Sequence, residues 1–309
     1  MTLSGKRFRA LLVCLTPAVC LAVGCDGGGR MPDAQTQPAA YSSELSVRFE
    51  VSPSGGPDRQ AMVSVLGFRA AAAGPETDVL GLVDPLAAAP PDQGCVLRDV
   101  DLANRALATR GGSVDLEELG GVGVGLGGAG TPSTVIRTFP RVYPDVAGVV
   151  GGVVGEAAPQ PIASLPEHVS LLSPASELPV AELAVPALPK LLSINGSAPA
   201  AGLRIDATGG LSLSLAAAGG AFIELRPFGA TVVVSCAVPN NAAAESVVTV
   251  PRALLAHLRT PDAAGTGNAA NVGLSVEIAR RVQVREPLVT AGTRVSVEVR
   301  STLAVELRP

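Results

Sequence analysis

Side chains able to carry chemistry are scarce in this chain: five Cys, two His, two Tyr and no Trp among 309 residues. Cys14, Cys20 and Cys25 fall within the first 25 positions, and Cys95 and Cys236 stand far apart in the remainder. A zinc site needs three or four N, S or O ligands in closed geometry. Neither His168 nor His257 has a second His, a Cys or a paired carboxylate at ligand spacing, so no metal site is expected. Gly123-Val124-Gly125-Leu126-Gly127-Gly128 satisfies G-x-G-x-x-G, with Asp145 20 residues past Gly125. A dinucleotide loop, however, must open a helix whose N-terminus meets the pyrophosphate. Pro132 falls where that helix should run, and Thr134, Val135, Ile136 and Thr138 favour extended backbone, so the segment reads as a Gly-rich strand.

The remaining clusters read as surface. Asp99 with Asp101, and Asp115 with Glu117 and Glu118, are the densest acid groups, yet neither continues into the D-x-[DN]-x-[DN]-G turn that gathers oxygens around calcium. No G-x-S-x-G elbow accompanies the scattered serines, and no catalytic residue or cofactor is assigned. Arg280, Arg281 and Arg285 form the one dense basic group; neighbours on a strand point to opposite faces, so Arg280 and Arg281 make ion pairs or surface rather than an anion patch. Sugar-binding sites usually stack rings on sugar faces, and the few Phe here mostly sit in apolar alternation. Tyr143, between Pro140 and Pro144, is the one aromatic read as a weak ligand-binding candidate in a Pro-framed loop, the plainer reading being a plug over a sheet.

The N-terminus carries an address. Lys6, Arg7 and Arg9 form a basic start, Ala10 to Val23 an apolar run interrupted by Pro17, and small residues lead into Cys25. That is a secretory signal, too short to be retained as a membrane span. Leu21-Ala22-Val23-Gly24-Cys25 resembles the lipobox of bacterial lipoproteins, with Ala22 where the family usually has Leu. The resemblance implies cleavage before Cys25, lipid on its sulfur, and attachment to the cell envelope, at the outer membrane on its periplasmic or surface face. Ala22 and Gly24 also suit the ordinary signal peptidase, which would release a soluble protein. Three consecutive Gly and two Pro in the stretch up to Ser43 cannot bury enough surface to offset ordering; as a flexible tether they reach roughly 20 to 25 Å. Removing the leader leaves Cys95 and Cys236 as the free thiols. In an exported chain such a pair is expected to bridge, the alternative being two separate buried thiols.

The elements that must position these residues are strands. Leu45, Val47, Phe49 and Val51 alternate with Ser46, Arg48 and Glu50, and Ala61 to Ala70 returns after a Pro/Gly turn, the pattern of a half-buried hairpin. Cys95–Leu102, Val122–Leu126, Thr134–Phe139, Val146–Val154 and His168–Leu172 follow, with little regular pattern between Pro159 and Pro189 apart from the last. A cleaner series then starts: Leu191–Ile194, Gly202–Ile205, Leu211–Leu215, Ala221–Arg226, Thr231–Val238 and Ser246–Val250. Pro251 to Leu258 reads as a short helix, because Pro suits the first turn and Leu254, Leu255 and Leu258 share a face. Two long strands, Asn271–Arg285 and Thr293–Arg308, close the chain, the second alternating Val295, Val297 and Val299 with Ser296, Glu298 and Arg300.

The fold class read from this is all-β, with two β-sandwich-like modules after a signal peptide (1–24) and a lipidated tether (25–43): an N-terminal β-rich domain (44–185) and a C-terminal sandwich (186–309). By strand count and spacing the second resembles fibronectin-III or immunoglobulin-like domains, without the immunoglobulin core Trp. With 23 Lys plus Arg against 27 Asp plus Glu, the balance offers no footprint for nucleic acid. Loss of Lys6, Arg7 and Arg9 with the leader moves the formal charge from -4 to -7. The expected role is structural or protein-binding, not enzymatic, with the membrane as partner through the N-terminal lipid and an envelope protein as a further one. The alternative is a small-ligand or carbohydrate-binding module, which a cavity with convergent polar groups would favour.

Overall fold

A computed structural model describes residues 43–52, 61–72, 91–99, 114–117, 119–127, 134–146, 150–173, 179–206, 208–216, 220–228, 230, 232–239, 245–258, 272–286 and 293–308. The signal 1–24, Cys25 and the tether up to residue 42 lie outside the described residues; Ser43, expected to end the tether, already belongs to the first strand.

The protein is all-β and sandwich-like. A long C-terminal hairpin is its spine: β17 (Val272–Glu286) and β18 (Thr293–Arg308) pair antiparallel in unbroken register from Val272 opposite Leu307 to Glu286 opposite Thr293. On one side of β17 lie β14 (Ala221–Pro227), β15 (Val232–Ala237) and the edge strand β3 (Cys95–Asp99). Two parallel strands share the far side of β18: β1 (Ser43–Val51) along Arg294 to Ser301 and β12 (Leu203–Asp206) along Val305 to Arg308. Beyond β1 the sheet continues through β2 (Ala61–Ala72), β4 (Val114–Glu117), β8 (Val150–Ile162) and β7 (Phe139–Val146), giving eleven strands. Strands from both sides of residue 185 therefore share one sheet.

Two smaller sheets cover this one. Val295, Val297 and Val299 of β18 join a core with Leu45, Val47 and Phe49 and with Val124, Val169 and Leu171. The last two strands of that set, β5 (Gly123–Leu126) and β9 (His168–Leu172), form a four-stranded sheet with β6 (Thr134–Arg137) and β10 (Pro179–Ala184). Leu303, Val305 and Leu307 of the same β18 join a second core with Leu211, Leu213, Leu215 and Val250, on the three-stranded sheet of β11 (Lys190–Ile194), β13 (Leu211–Ala216) and β16 (Glu245–Val250). All six β18 residues have odd numbers, and side chains alternate faces with period two. Both covering sheets thus pack on one face of the spine, and Leu188 touches both cores.

Local departures from the sequence pattern have physical causes. Gly123–Leu126 of the Gly-rich motif form strand β5, flanked on both sides by β6 and β9; Gly128 and Pro132 lie outside the described residues. Strand β8 runs through Pro159 and Pro161 up to Ile162, where irregular chain was expected. Strand β7 pairs with it only as far as Glu156, so the prolines can turn their missing donors to the open side while β2 pairs with the other. Gly152 (φ 128°) lies against β4, where an added Cβ would meet the Leu116 carbonyl oxygen at 2.0 Å. The expected helix is present as α1 (Arg252–His257) after Pro251, with Leu255 and Leu258 buried and His257 exposed.

Cys95 and Cys236 form a disulfide between directly opposed residues of β3 and β15, with Cα atoms 4.0 Å apart. It fixes the far edge of the large sheet, to which the chain travels after β2 before returning to place β4 beside it.

Candidate functional site

The face of the spine opposite the two cores carries the unexpected feature. Its side chains are the even-numbered residues of β1, β14 and β18 and the odd-numbered ones of β15 and β17. Strand register lines up Ser235, Glu224, Glu277 and Thr302 in one row across the sheet, and Arg281, Glu298 and Arg48 in another. The period-2 alternation of β18 does not say what covers this face. Ser296, Glu298, Arg300 and Glu224 are all at 2% exposure or less.

Burial at this level requires the charges to compensate one another. Arg300 is the hub: its Nε and Nη2 donate to Glu298 Oε1 at 2.9 and 2.6 Å, and its Nη1 donates to Glu277 Oε2. Arg281 Nε donates to Glu298 Oε2 at 2.8 Å, and Arg48 Nε approaches Glu298 Oε1 at 3.4 Å. The Arg281 guanidinium also lies over the Phe222 ring, 5.5 Å from its centroid, a cation–π contact that adds attraction and cover. A one-residue slip of β17 against β18 would carry these charges into the apolar cores, so the network also holds the register.

Three groups respond strongly. Burial alone would raise the Glu298 carboxyl, but Arg300, then Arg281 and Arg48, outweigh it and hold the value down at about 2. Burial likewise opposes the charge of Arg300, yet Glu298, Glu277 and Glu224 carry its guanidinium further above its ordinary range. Glu224 goes the other way: burial raises it to about 8, offset only in part by Arg300 and reinforced by Glu277 and Glu298. Arg300 Nη2 stays 3.8 Å from Glu224 Oε2. Neither Glu224 oxygen makes a hydrogen bond, nor does the Ser235 hydroxyl on the opposed residue of β15. At neutral pH Glu224 is a buried carboxylic acid beside an ionised Arg–Glu cluster.

A cavity of about 330 Å³ opens at one end of this network. Arg300 and Glu277 line it from the buried side, and Arg48, Glu50 and Thr302 form one wall, with Thr302 Oγ1 donating to Glu50 Oε1 at 3.3 Å. Arg226, Ser275 and Phe228 form the other. The Ser275 hydroxyl donates to the Arg226 carbonyl at 3.2 Å and lies 3.3 Å from Glu277 Oε1. Phe228 N–H bonds to Gly273 O at 3.1 Å, and its ring occupies the space a Cβ on Gly273 would need, with ring carbons 2.5 and 2.8 Å away. Phe228 is 64% exposed, so Gly273→Ala is expected to tilt the ring into the cavity mouth for under about 1 kcal/mol in urea unfolding. A loss of several kcal/mol would mean instead that the backbone had moved.

Apart from Arg281, the residues singled out in the sequence are not part of this network. Tyr143 stands in the edge strand β7, opposite Gly152, and not in a loop; its side chain is outside what is described. His168, on β9, lies 3.9 Å from Glu182 through Nδ1. Asp101 and Glu118 lie outside the described residues, among which no group of three or more His, Cys, Asp or Glu is placed to hold a metal. Phe49, Phe68 and Phe222 fill buried positions, but Phe139 and Phe228 do not. Of the Arg280–Arg281–Arg285 group, Arg281 reaches the buried network, and the side chain of Arg285 is outside what is described. No protein family, curated protein or solved structure matches this chain. Its chemistry must be read from the cavity and the network beside it.

Proposed function

We propose that this chain is an exported, lipid-anchored protein of the cell envelope, held at the outer membrane through Cys25, whose β-scaffold presents a small-ligand site. The observation that carries the ligand reading is the cavity lined by Arg48, Glu50, Arg226, Ser275, Glu277 and Arg300: polar groups from four strands converge on one hollow beside a rigid, buried ion network. Its size is at the small end of ligand pockets, which run from about 300 to 1,000 Å³. The leader-like start, the lipobox-like LAVGC and the tether support the location, and the disulfide fits an oxidising compartment. Binding rather than catalysis fits the Glu277 carboxylate, whose Oε2 is already held by the Arg300 guanidinium.

A second reading, contact with a partner protein, is favoured by Phe139 and Val142 on the edge strand β7, 68% and 75% exposed. Strand addition there is disfavoured, because Pro140 and Pro144 bring no backbone donors to β7; such a partner would hold side chains.

Filling the cavity separates the two. Thr302→Trp is expected to abolish retention of a small molecule carried by the parent protein from envelope extracts, read by native mass spectrometry, while crosslinks from position 142 persist. Equal retention by parent and variant, or none by either, would remove the ligand reading.

A further inference from the structure

We infer that Arg226 and Phe228 are the recognition end of the cavity, for a small ligand bearing a carboxylate or phosphate on a planar apolar body; the inference rests on reading the cavity as a ligand site. The lining holds three Arg (48, 226 and 300) and two Glu (50 and 277), so its formal charge is positive by one. The cations are unequal. Arg300 is bound by Glu298 and Glu277, and Arg48 approaches Glu298. Arg226 pairs with no carboxylate among the described residues. Its one hydrogen bond runs from Nε to the Ala230 carbonyl at 3.2 Å, which fixes the guanidinium plane and leaves the terminal nitrogens to a ligand. A planar fork held in this way matches the two oxygens of a carboxylate or phosphate.

The backbone around this pair is tied down. Ala230 N–H bonds to Pro227 O at 3.2 Å, Phe228 N–H to Gly273 O at 3.1 Å, and Ser275 Oγ to the Arg226 carbonyl at 3.2 Å. Phe228 and the backbone of the strand residue Arg226 are thereby held against β17 before any ligand arrives, which lowers the ordering cost of binding. A largely exposed Phe next to an Arg that no carboxylate among the described residues neutralises supplies what an anion with a flat apolar body needs: a ring face to lie on and a fork to hold its charge. Glu50 on the opposite wall repels a second anionic group, so the preferred ligand carries its negative charge at one end.

The test is titration of the full chain with four probes of similar size, benzoate, phenyl phosphate, benzyl alcohol and benzylamine, followed by calorimetry or ligand-observed NMR. The two anions are expected to bind at least about tenfold more tightly than the neutral and cationic probes. Arg226→Leu should lose that preference, Arg226→Lys should keep part of it, and Arg204→Leu, at an exposed pair with Glu306, should change nothing. Circular dichroism of Arg226→Lys keeps the comparison meaningful if Arg226→Leu folds poorly. Equal binding of benzyl alcohol and benzoate, or full affinity for benzoate in a folded Arg226 variant, would overturn the inference. Binding of benzylamine alone would leave a ligand site of the wrong sign for it, whereas binding of no probe would count against both the inference and the cavity reading.

Discussion

Glu224→Gln should leave stability at pH 5 within about 1 kcal/mol of the parent and make the protein several kcal/mol more stable than the parent at pH 9. Glu224 has an ordinary value of 4.5 and is raised to about 8 in the fold. Between those values the unfolded chain has released a proton that the native state retains, so native stability falls as pH rises through 4.5 to 8 and levels off above. The ceiling on that loss is on the order of 4 to 5 kcal/mol. Glu298 acts in the opposite sense. Its folded value of about 2 lies below 4.5, so its contribution is complete above pH 4.5 and is lost as pH falls towards 2. The pair together places the stability maximum near pH 4.5 to 5, on the acid side of neutrality. Gln at position 224 removes the alkaline limb because it carries no proton to lose, and its amide can reach the unpartnered Ser235 hydroxyl. Urea unfolding of both proteins from pH 4 to 9 tests this; parallel profiles would mean that Glu224 is not held neutral by burial.

The second large effect is expected at the disulfide. Cys95→Ala with Cys236→Ala should lower stability by about 2 to 5 kcal/mol, the chain-entropy limit for so long a loop being roughly 5 kcal/mol. Strand β3 joins the sheet through one five-residue ladder with β15, and 141 positions separate the bridged residues. Without the bridge, that ladder and the contacts beside it, such as Ala237 N–H to Gly94 O at 2.8 Å, must hold the edge strand. Cys236 also belongs to the C-terminal core, so losing β3 opens a core edge as well as a sheet edge. Urea unfolding with and without reductant should show the drop, and amide exchange across Val232–Ala237 should accelerate on reduction. An unchanged midpoint on full reduction would show that the ladder is sufficient by itself.

How much of this could be read beforehand follows from what each signal measures. Alternation located β1, β2, β13, β14, β15, β17 and β18 closely, because one side of each strand faces an apolar core and period two reports that directly. It could not show that one β18 would serve two cores, since Val295 to Leu307 looks the same whether one sheet or two pack on it. Alternation is silent about the other face: Ser296, Glu298 and Arg300 alternate with the valines, yet cross-strand neighbours bury them. A usable signal was nevertheless present. Closing the two long terminal strands as a hairpin already sets Arg281 opposite Glu298, and a polar face carrying both signs in register is a candidate network. The cavity was harder to foresee, as it needs β1, β14, β17 and β18 together, and the parallel β1–β18 pairing joins residues about 250 apart in sequence. Strand β10 and the far half of β8 were missed because proline masks a strand pattern when it lies along an unpaired edge.

The proposed anchor underlies the rest, since export explains the leader, the tether and the oxidised cysteine pair together. Intact mass of the protein extracted from its own envelope, beside a Cys25→Ser form, tests it most directly. The expected result is a chain beginning at Cys25, heavier than its sequence by acyl groups and free of titratable thiol, with the Cys25→Ser form unlipidated and released from the membrane fraction. A chain that keeps Met1, carries no lipid, or fractionates identically in both forms would contradict it.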